Sequence, residues 1–375
     1  MGDRHTLLFS QTITSPHPVD LPPHIKRYYI PTPLGTLELL AAEPTQPSTS
    51  TSRKKAILFR KLKFSHTSCE ELENHDVNST PEHGGFGSAA VFVPFLTYFS
   101  QSQHPCYALS VRGHGASWKP SYFRMVWGYN RSAFAQDLQS GLQFVQYLEA
   151  KRRDKIESEV VDEIVLVGHS AGGGMVQDLL SQGMGKVGGL VIMAGFPNFG
   201  GWRVYWNWFK MDPWFIPRYY VRDLWHSRSP LSSTTLVHQA FFCPSYPVSE
   251  VKKFETLLPE YESMLWPLQM MFRFVDLGKV LGNIIGWSKG GKRVLVVAGE
   301  RDPLMVPELM RRMTADYKVA MNKEWGTLIG GGERPPNGAE DVVGFEVVVG
   351  SGHHLQNDLY WEDCAERILN FVKQL

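Results

Sequence analysis

Residues 168–172 read Gly-His-Ser-Ala-Gly, and what stands on either side of that pentapeptide decides what it can be. Upstream, EIVLV (163–167) is a short apolar run of buried-strand type, and downstream AGGGMVQDLL (171–180) can open a helix. A serine set between strand and helix, with Gly168 and Gly172 around it, occupies a sharp turn that holds its hydroxyl out at the strand's end. As a bare pattern G-x-S-x-G is weak, because Gly and Ser are common. The strand–turn–helix setting makes Ser170 a candidate nucleophile rather than a serine in an ordinary turn.

A serine hydroxyl is a poor nucleophile near neutral pH, so it needs a base to take its proton and a carboxylate to orient that base. Two later strand ends supply them. RVLVVAG (293–299) leads into Gly299-Glu300-Arg301-Asp302-Pro303, and EVVVG (346–350) leads into Ser351-Gly352-His353-His354. Asp302 is the candidate acid, with Glu300 the rival nearer the strand. His353 is the candidate base, with Gly352 freeing its backbone, and His354 is the rival.

The rest of the chain alternates β-branched runs with helical patterns, the rhythm of βαβ units around a parallel sheet. The runs are 56–59, 106–111, 163–167, 189–193, 293–297 and 344–349, nearly all apolar, as strands covered on both faces are. An antiparallel hairpin precedes them, turning at Pro33-Leu34-Gly35. Residues 132–151 place Phe134, Leu138, Leu142, Val145 and Leu148 on one helical stripe. The rhythm stops over 199–291, where ten aromatic residues fall between Trp202 and Trp225. Such density fits either the core of a small helical unit or a cap whose inner face, with Met264, Met270 and Met271, lines an apolar pocket. The expected division is therefore a core in two parts, 1–198 and 292–375, around a helical insert at 199–291. Two polar stretches, 44–52 and 330–344, read as solvated loops.

Composition narrows the class. With 43% hydrophobic and 20% charged residues the chain is ordinary globular material, and 38 Lys and Arg against 37 Asp and Glu leave a formal charge of +1. That balance argues against any large electrostatic footprint for nucleic acid or an anionic membrane. Cys69, Cys106, Cys243 and Cys364 form no C-x-x-C pair, so buried thiols are expected and no zinc site. Residues 84–111 lack Asp, Glu, Lys and Arg, but Pro94, Pro105 and the polar 100–104 break them too often for a transmembrane segment. The first residues lack the apolar core of a signal peptide, so a cytoplasmic protein is expected.

The order Ser170, Asp302, His353, with His83-Gly84-Gly85 after the third strand and Arg112-Gly113-His114-Gly115-Ala116-Ser117 after the fourth, resembles the α/β-hydrolase fold family over most of the chain. The resemblance implies an α/β fold with a mostly parallel sheet, flanking helices and an inserted helical cap, acting as a serine hydrolase of the AB hydrolase-1 type. It implies an oxyanion hole made by the backbone N–H of Ala171 and of Gly85, with Phe86 the next candidate. No metal or organic cofactor is implied, and His83, His114 and His169 are expected to shape loops. A serine at the elbow separates the chain from the family's epoxide hydrolases and haloalkane dehalogenases, which carry an aspartate there.

One feature departs from the family. The third strand ends at Phe59, yet His83 follows only after the polar stretch RKLKFSHTSCEELENHDVNSTPE (60–82), read either as a surface loop or as translated intron sequence. The expected activity is cleavage of a carboxylic ester with an apolar acyl or alkyl part through an acyl-enzyme. Carbon–carbon bond hydrolysis, thioester hydrolysis or acyl transfer by the same three residues, and ligand binding without catalysis, are the alternatives.

Overall fold

The computed structural model describes residues 3–9, 19–44, 54–59, 87–329 and 338–375. Eight strands form one sheet in the order β1-β2-β4-β3-β5-β6-β7-β8. β1 (Ile25–Thr32) and β2 (Gly35–Ala42) make the expected hairpin, in which Thr32 pairs with Gly35, and β2 runs antiparallel to β4 (Cys106–Leu109). From β4 onward every neighbour is parallel: β3 (Ala56–Phe59), β5 (Ile164–His169), β6 (Gly189–Met193), β7 (Val294–Gly299) and β8 (Val343–Val348). All residues of β3, β4, β6 and β7 are buried, which explains why their sequences are continuously apolar rather than alternating.

Helices cover the sheet. α1 (Val93–Gln101) starts with Pro94 in its first turn, where the missing N–H has no helical partner to lose, so this proline begins a helix instead of interrupting the apolar stretch. Its Phe95 and Phe99 meet the ring of Phe59 at 5.6 and 5.7 Å, fixing α1 to the end of β3. α2 (Arg131–Arg153) is the predicted amphipathic helix, extended slightly at both ends. The Asn130 side chain accepts from Ala133 N at 2.8 Å and caps its start, and Lys151, Arg152 and Arg153 sit in its last turn, where they complement the helix dipole. α3 (Ala171–Ser181) opens directly after β5.

Between β6 and β7 the chain leaves the sheet for a run of helices that includes α4 (Trp202–Met211), α5 (Thr234–Phe241) and α6 (Val248–Glu255). Val237, Ala240, Phe242, Val251, Phe254 and Leu258 form the buried interior of this insert. In the aromatic-dense part, Tyr205, Trp208 and Tyr219 face inward while Trp202, Trp206, Phe209, Trp214, Tyr220 and Trp225 are exposed, and only Val204 of α4 is fully buried. α7 (Pro307–Ile329) follows β7, and α8 (Trp361–Lys373) closes the chain against α1, with Trp361 6.2 Å from Phe95. Among the described residues no helix is long and apolar enough to cross a membrane. Cys106, Cys243 and Cys364 are free and buried; Cys69 lies outside the described residues.

Candidate functional site

Parallel strands aim their C-terminal ends at one edge, so the loops after β5, β7 and β8 converge there. The turn after β5 is tight. Ser170 has φ 54° and ψ −125°, a left-handed conformation that a serine adopts only where its surroundings impose it. Here the backbone imposes it: Ser170 N donates to Met193 O at 3.0 Å, and Ser170 O accepts from Gly173 N and Phe196 N, both at 2.9 Å. Gly168 permits the turn, since a Cβ there would lie 2.6 Å from Gly172 O and 2.8 Å from Gly173 Cα. The result places Ser170 Oγ beyond the sheet, at the start of α3.

Asp302 follows β7 in a turn that its own carboxylate holds. Oδ1 accepts from Leu304 N at 2.8 Å and Met305 N at 2.9 Å, which leaves Oδ2 for His353 Nδ1 at 2.7 Å. On the opposite edge of the ring, His353 Nε2 lies 2.8 Å from Ser170 Oγ. Asp302 is 2% exposed and His353 1%, so this chain of hydrogen bonds runs where water does not compete with it. With the aspartate accepting at Nδ1–H, the free lone pair of the imidazole is at Nε2, facing the hydroxyl.

The rivals are occupied elsewhere. Glu300 accepts from Gly350 N at 2.9 Å, and the ring of His354 packs among Phe241, Phe242 and Phe254 with Nδ1 3.1 Å from Asn357 Nδ2. His114 bonds the Arg112 carbonyl and Glu262, holding the turn after β4 against the insert. Ala171 is the first residue of α3, and a helix's first N–H groups have no partner inside it. Gly85, Phe86, His83 and the 60–82 stretch lie outside the described residues.

Three supports hold the His353 loop, and the first is the loop-shaping role expected of His169. His169 Nε2 donates to His353 O at 2.8 Å while Gln356 Nε2 lies 3.2 Å from His169 Nδ1, so the amide donates and sets the histidine's tautomer. Asp358 Oδ2 accepts from Gly352 N and from Cys243 N, both at 2.8 Å, tying the loop to the residue just past α5 and Phe242. His354 N adds a 2.7 Å bond to Phe241 O, and the Phe241 ring stacks on His353 at 5.9 Å. The insert is thus part of what holds the imidazole. Cys243, nearby, is no rival nucleophile: burial above all, and the Asp358 carboxylate, push its thiol up despite hydrogen bonds from Ser245.

A small cavity beside Ser170 is lined by the apolar Val91, Phe92 and Phe241 and by the polar His169, His354 and Gln356. Among the described residues no group of three or more His, Cys, Asp or Glu side chains is placed to hold a metal ion. The arrangement can deprotonate a serine hydroxyl and return the proton to a leaving group, because one imidazole reaches both the hydroxyl and a fixed carboxylate.

A model described as "Alpha/beta hydrolase family" matches residues 83–368. No curated protein matches the chain. Among solved structures, a soluble variant of monoglyceride lipase from Saccharomyces cerevisiae superposes with a TM-score of 0.56 at 13% identity, covering 95% of this chain and 98% of that one. A thermophilic esterase from Thermogutta terrifontis gives a TM-score of 0.54 at 15% identity over 93% and 98%, and a putative aryl esterase from Burkholderia cenocepacia gives 0.52 at 16% over 93% and 98%. At these identities the likeness is one of fold.

Proposed function

The chain belongs to the alpha/beta hydrolase family, and we propose that it works there as a serine hydrolase that cleaves a carboxylic ester with an apolar acyl or alkyl part. Ser170 Oγ attacks the ester carbonyl while His353 Nε2 takes its proton, and Asp302 stabilises the imidazolium that forms. The oxyanion sits against the N–H of Ala171 and that of Gly85. Each such donor contributes about 3 kcal/mol, because it meets charge that exists only in the transition state. His353 then gives the proton to the departing alkoxide, and the alcohol leaves. Water, deprotonated by His353, attacks the acyl-serine, and collapse of the second tetrahedral intermediate returns Ser170 and releases the acid.

The observation that carries this reading is the relay of 2.8 Å from Ser170 Oγ to His353 Nε2 and 2.7 Å from His353 Nδ1 to Asp302. The apolar preference is supported by the Val91, Phe92 and Phe241 wall beside the serine. The helical insert at 199–291 serves as a cap, since it bonds the His353 loop directly at Phe241 and Cys243. Purified protein assayed on p-nitrophenyl esters of increasing acyl length tests the proposal. Turnover that rises from acetate to medium-chain esters and vanishes in Ser170→Ala is expected. No turnover of any ester, or unchanged turnover in Ser170→Ala, would overturn it, and a preference for acetate would remove the apolar acyl part.

A further inference from the structure

Helices normally bury their aromatic residues, but α4 carries a second aromatic face on its solvent side. Its inward positions are Val204, Tyr205, Trp208 and Met211, while Trp202 (48% exposed), Trp206 (54%) and Phe209 (37%) point to solvent at the spacing of one helical face. The rings of Trp206 and Phe209 stack at 5.6 Å. At the helix start, Trp202 N donates to Met271 O at 3.2 Å, which sets Phe272, 73% exposed, beside this face.

Charge accompanies the apolar surface. Between residues 202 and 228 there are five Arg or Lys against two Asp, in a chain whose formal charge is only +1. Both aspartates are engaged, Asp212 by Arg218 and Asp223 by Arg222. Arg203 and Lys210 stand exposed among the outward aromatics of α4, with Arg203 5.1 Å over the Trp202 ring.

The continuation of the segment carries backbone strain. Leu224 (φ 48°) and Trp225 (φ 65°) both lie in the left-handed region, a conformation that costs a bulky residue energy and persists only where structure enforces it. Both side chains remain exposed, Leu224 at 66% and Trp225 at 53%. The turn is held by its own segment, with Trp225 N donating to Tyr219 O at 2.9 Å and the Trp225 ring edge-to-face on Tyr220 at 5.0 Å, so both side chains are kept outward.

We propose that this face of the insert docks on a phospholipid bilayer that contains anionic lipids. Trp and Tyr favour the headgroup level of a bilayer because their rings are apolar with a polar edge, and Arg and Lys are drawn to anionic headgroups. Exposed tryptophans with the exposed basic Arg203 and Lys210 among them and no acid on α4 fit that occupant, and charge complementarity selects it over a second, equally basic copy of this face. Docking would present the serine edge of the sheet to the membrane: Asn207 Nδ2 of α4 donates at 3.0 Å to Leu304 O, two residues from Asp302. The interaction is a surface attachment, independent of whether Ser170 performs catalysis.

Co-sedimentation with vesicles tests it, using Ser170→Ala alongside the wild type so that binding is read apart from activity. Both proteins are expected to sediment with phosphatidylcholine vesicles containing phosphatidylserine and more weakly with phosphatidylcholine alone. Trp206→Ser with Phe209→Ser should weaken binding at least about tenfold. Arg203→Glu should weaken it about fivefold or more on the anionic vesicles and leave phosphatidylcholine binding unchanged. Both variants alter exposed side chains, and an unchanged melting temperature shows that they fold. Absence of vesicle binding by the wild type, or binding that neither variant reduces, overturns the proposal. So does a wild-type dimer in light scattering that Trp206→Ser with Phe209→Ser splits, since the face would then join two copies.

Discussion

Replacing Asp302 by Asn separates the role of the carboxylate from its place in the fold, because the structure dictates how the amide must sit. Oδ1 of Asp302 receives two buried backbone N–H groups, from Leu304 and Met305, and Oδ2 receives His353 Nδ1. An asparagine can keep the first pair only with its oxygen toward Leu304 and Met305, which turns its NH2 toward His353. The flipped amide would set NH2 against two N–H donors and strand both, at about 1–3 kcal/mol each, so the first orientation wins. A donor facing Nδ1 makes that nitrogen the acceptor and moves the imidazole proton to Nε2, where it faces Ser170 Oγ and blocks proton uptake. The loss of the correct tautomer is worth about ten-thousandfold in kcat, on the order of 5 kcal/mol of barrier. Stability should change little, because the turn's two hydrogen bonds survive. Asp302→Ala, which strands Leu304 and Met305 N–H, should lower both activity and melting temperature. The assay is kcat on the best p-nitrophenyl ester, paired with thermal unfolding of the three proteins. An Asp302→Asn enzyme keeping more than about a tenth of wild-type kcat would refute the tautomer argument.

Other consequences concern the elbow and acid stability. Gly168→Ala puts a methyl 2.6 Å from Gly172 O and 2.7 Å from Val176 Cγ2, so thermal unfolding should show a loss of about 1–3 kcal/mol; an unchanged midpoint would mean the elbow tolerates a side chain. His104 and His226 are buried, and burial, the largest influence on each, pushes them below the usual 6.5, while each ring bonds a carbonyl, of Lys55 and of Leu8. The unfolded chain then takes up these protons first as pH falls, so the contribution of these two rings to stability is fully present above about pH 6.5 and is lost progressively beneath it. Melting temperatures at about pH 7.5 and 5.5 check the sign, and a higher value at the acidic pH would contradict it.

The parallel strands were legible because burial on both faces leaves continuous apolar runs, as in VLVVAG of β7. Ser170, Asp302 and His353 were legible because a strand-end elbow fixes the first and chain order points to the other two. Adjacent rivals differ only by direction: His354 is one residue from His353 yet faces Phe241, Phe242 and Phe254, and a strand-end loop has no period from which to read that. Gln356 and Asp358 have no sequence signature for a related reason, since their partners His169 and Cys243 are distant in sequence. The aromatic density of 202–225 was visible, but which face of α4 turns outward is set by what packs beneath it. α7 carries a clear signal of its own, with Leu309, Met313, Tyr317, Met321 and Trp325 all buried at helical spacing behind Pro307.

Intact-mass and peptide analysis after treatment with a fluorophosphonate bears most directly on the claim that Ser170 is an activated nucleophile. The expected result is a single phosphonyl adduct on the peptide carrying Ser170, formed by the wild type, much slower in His353→Ala and absent in Ser170→Ala. A wild-type protein that stays unmodified, or one modified at another side chain, would contradict the account.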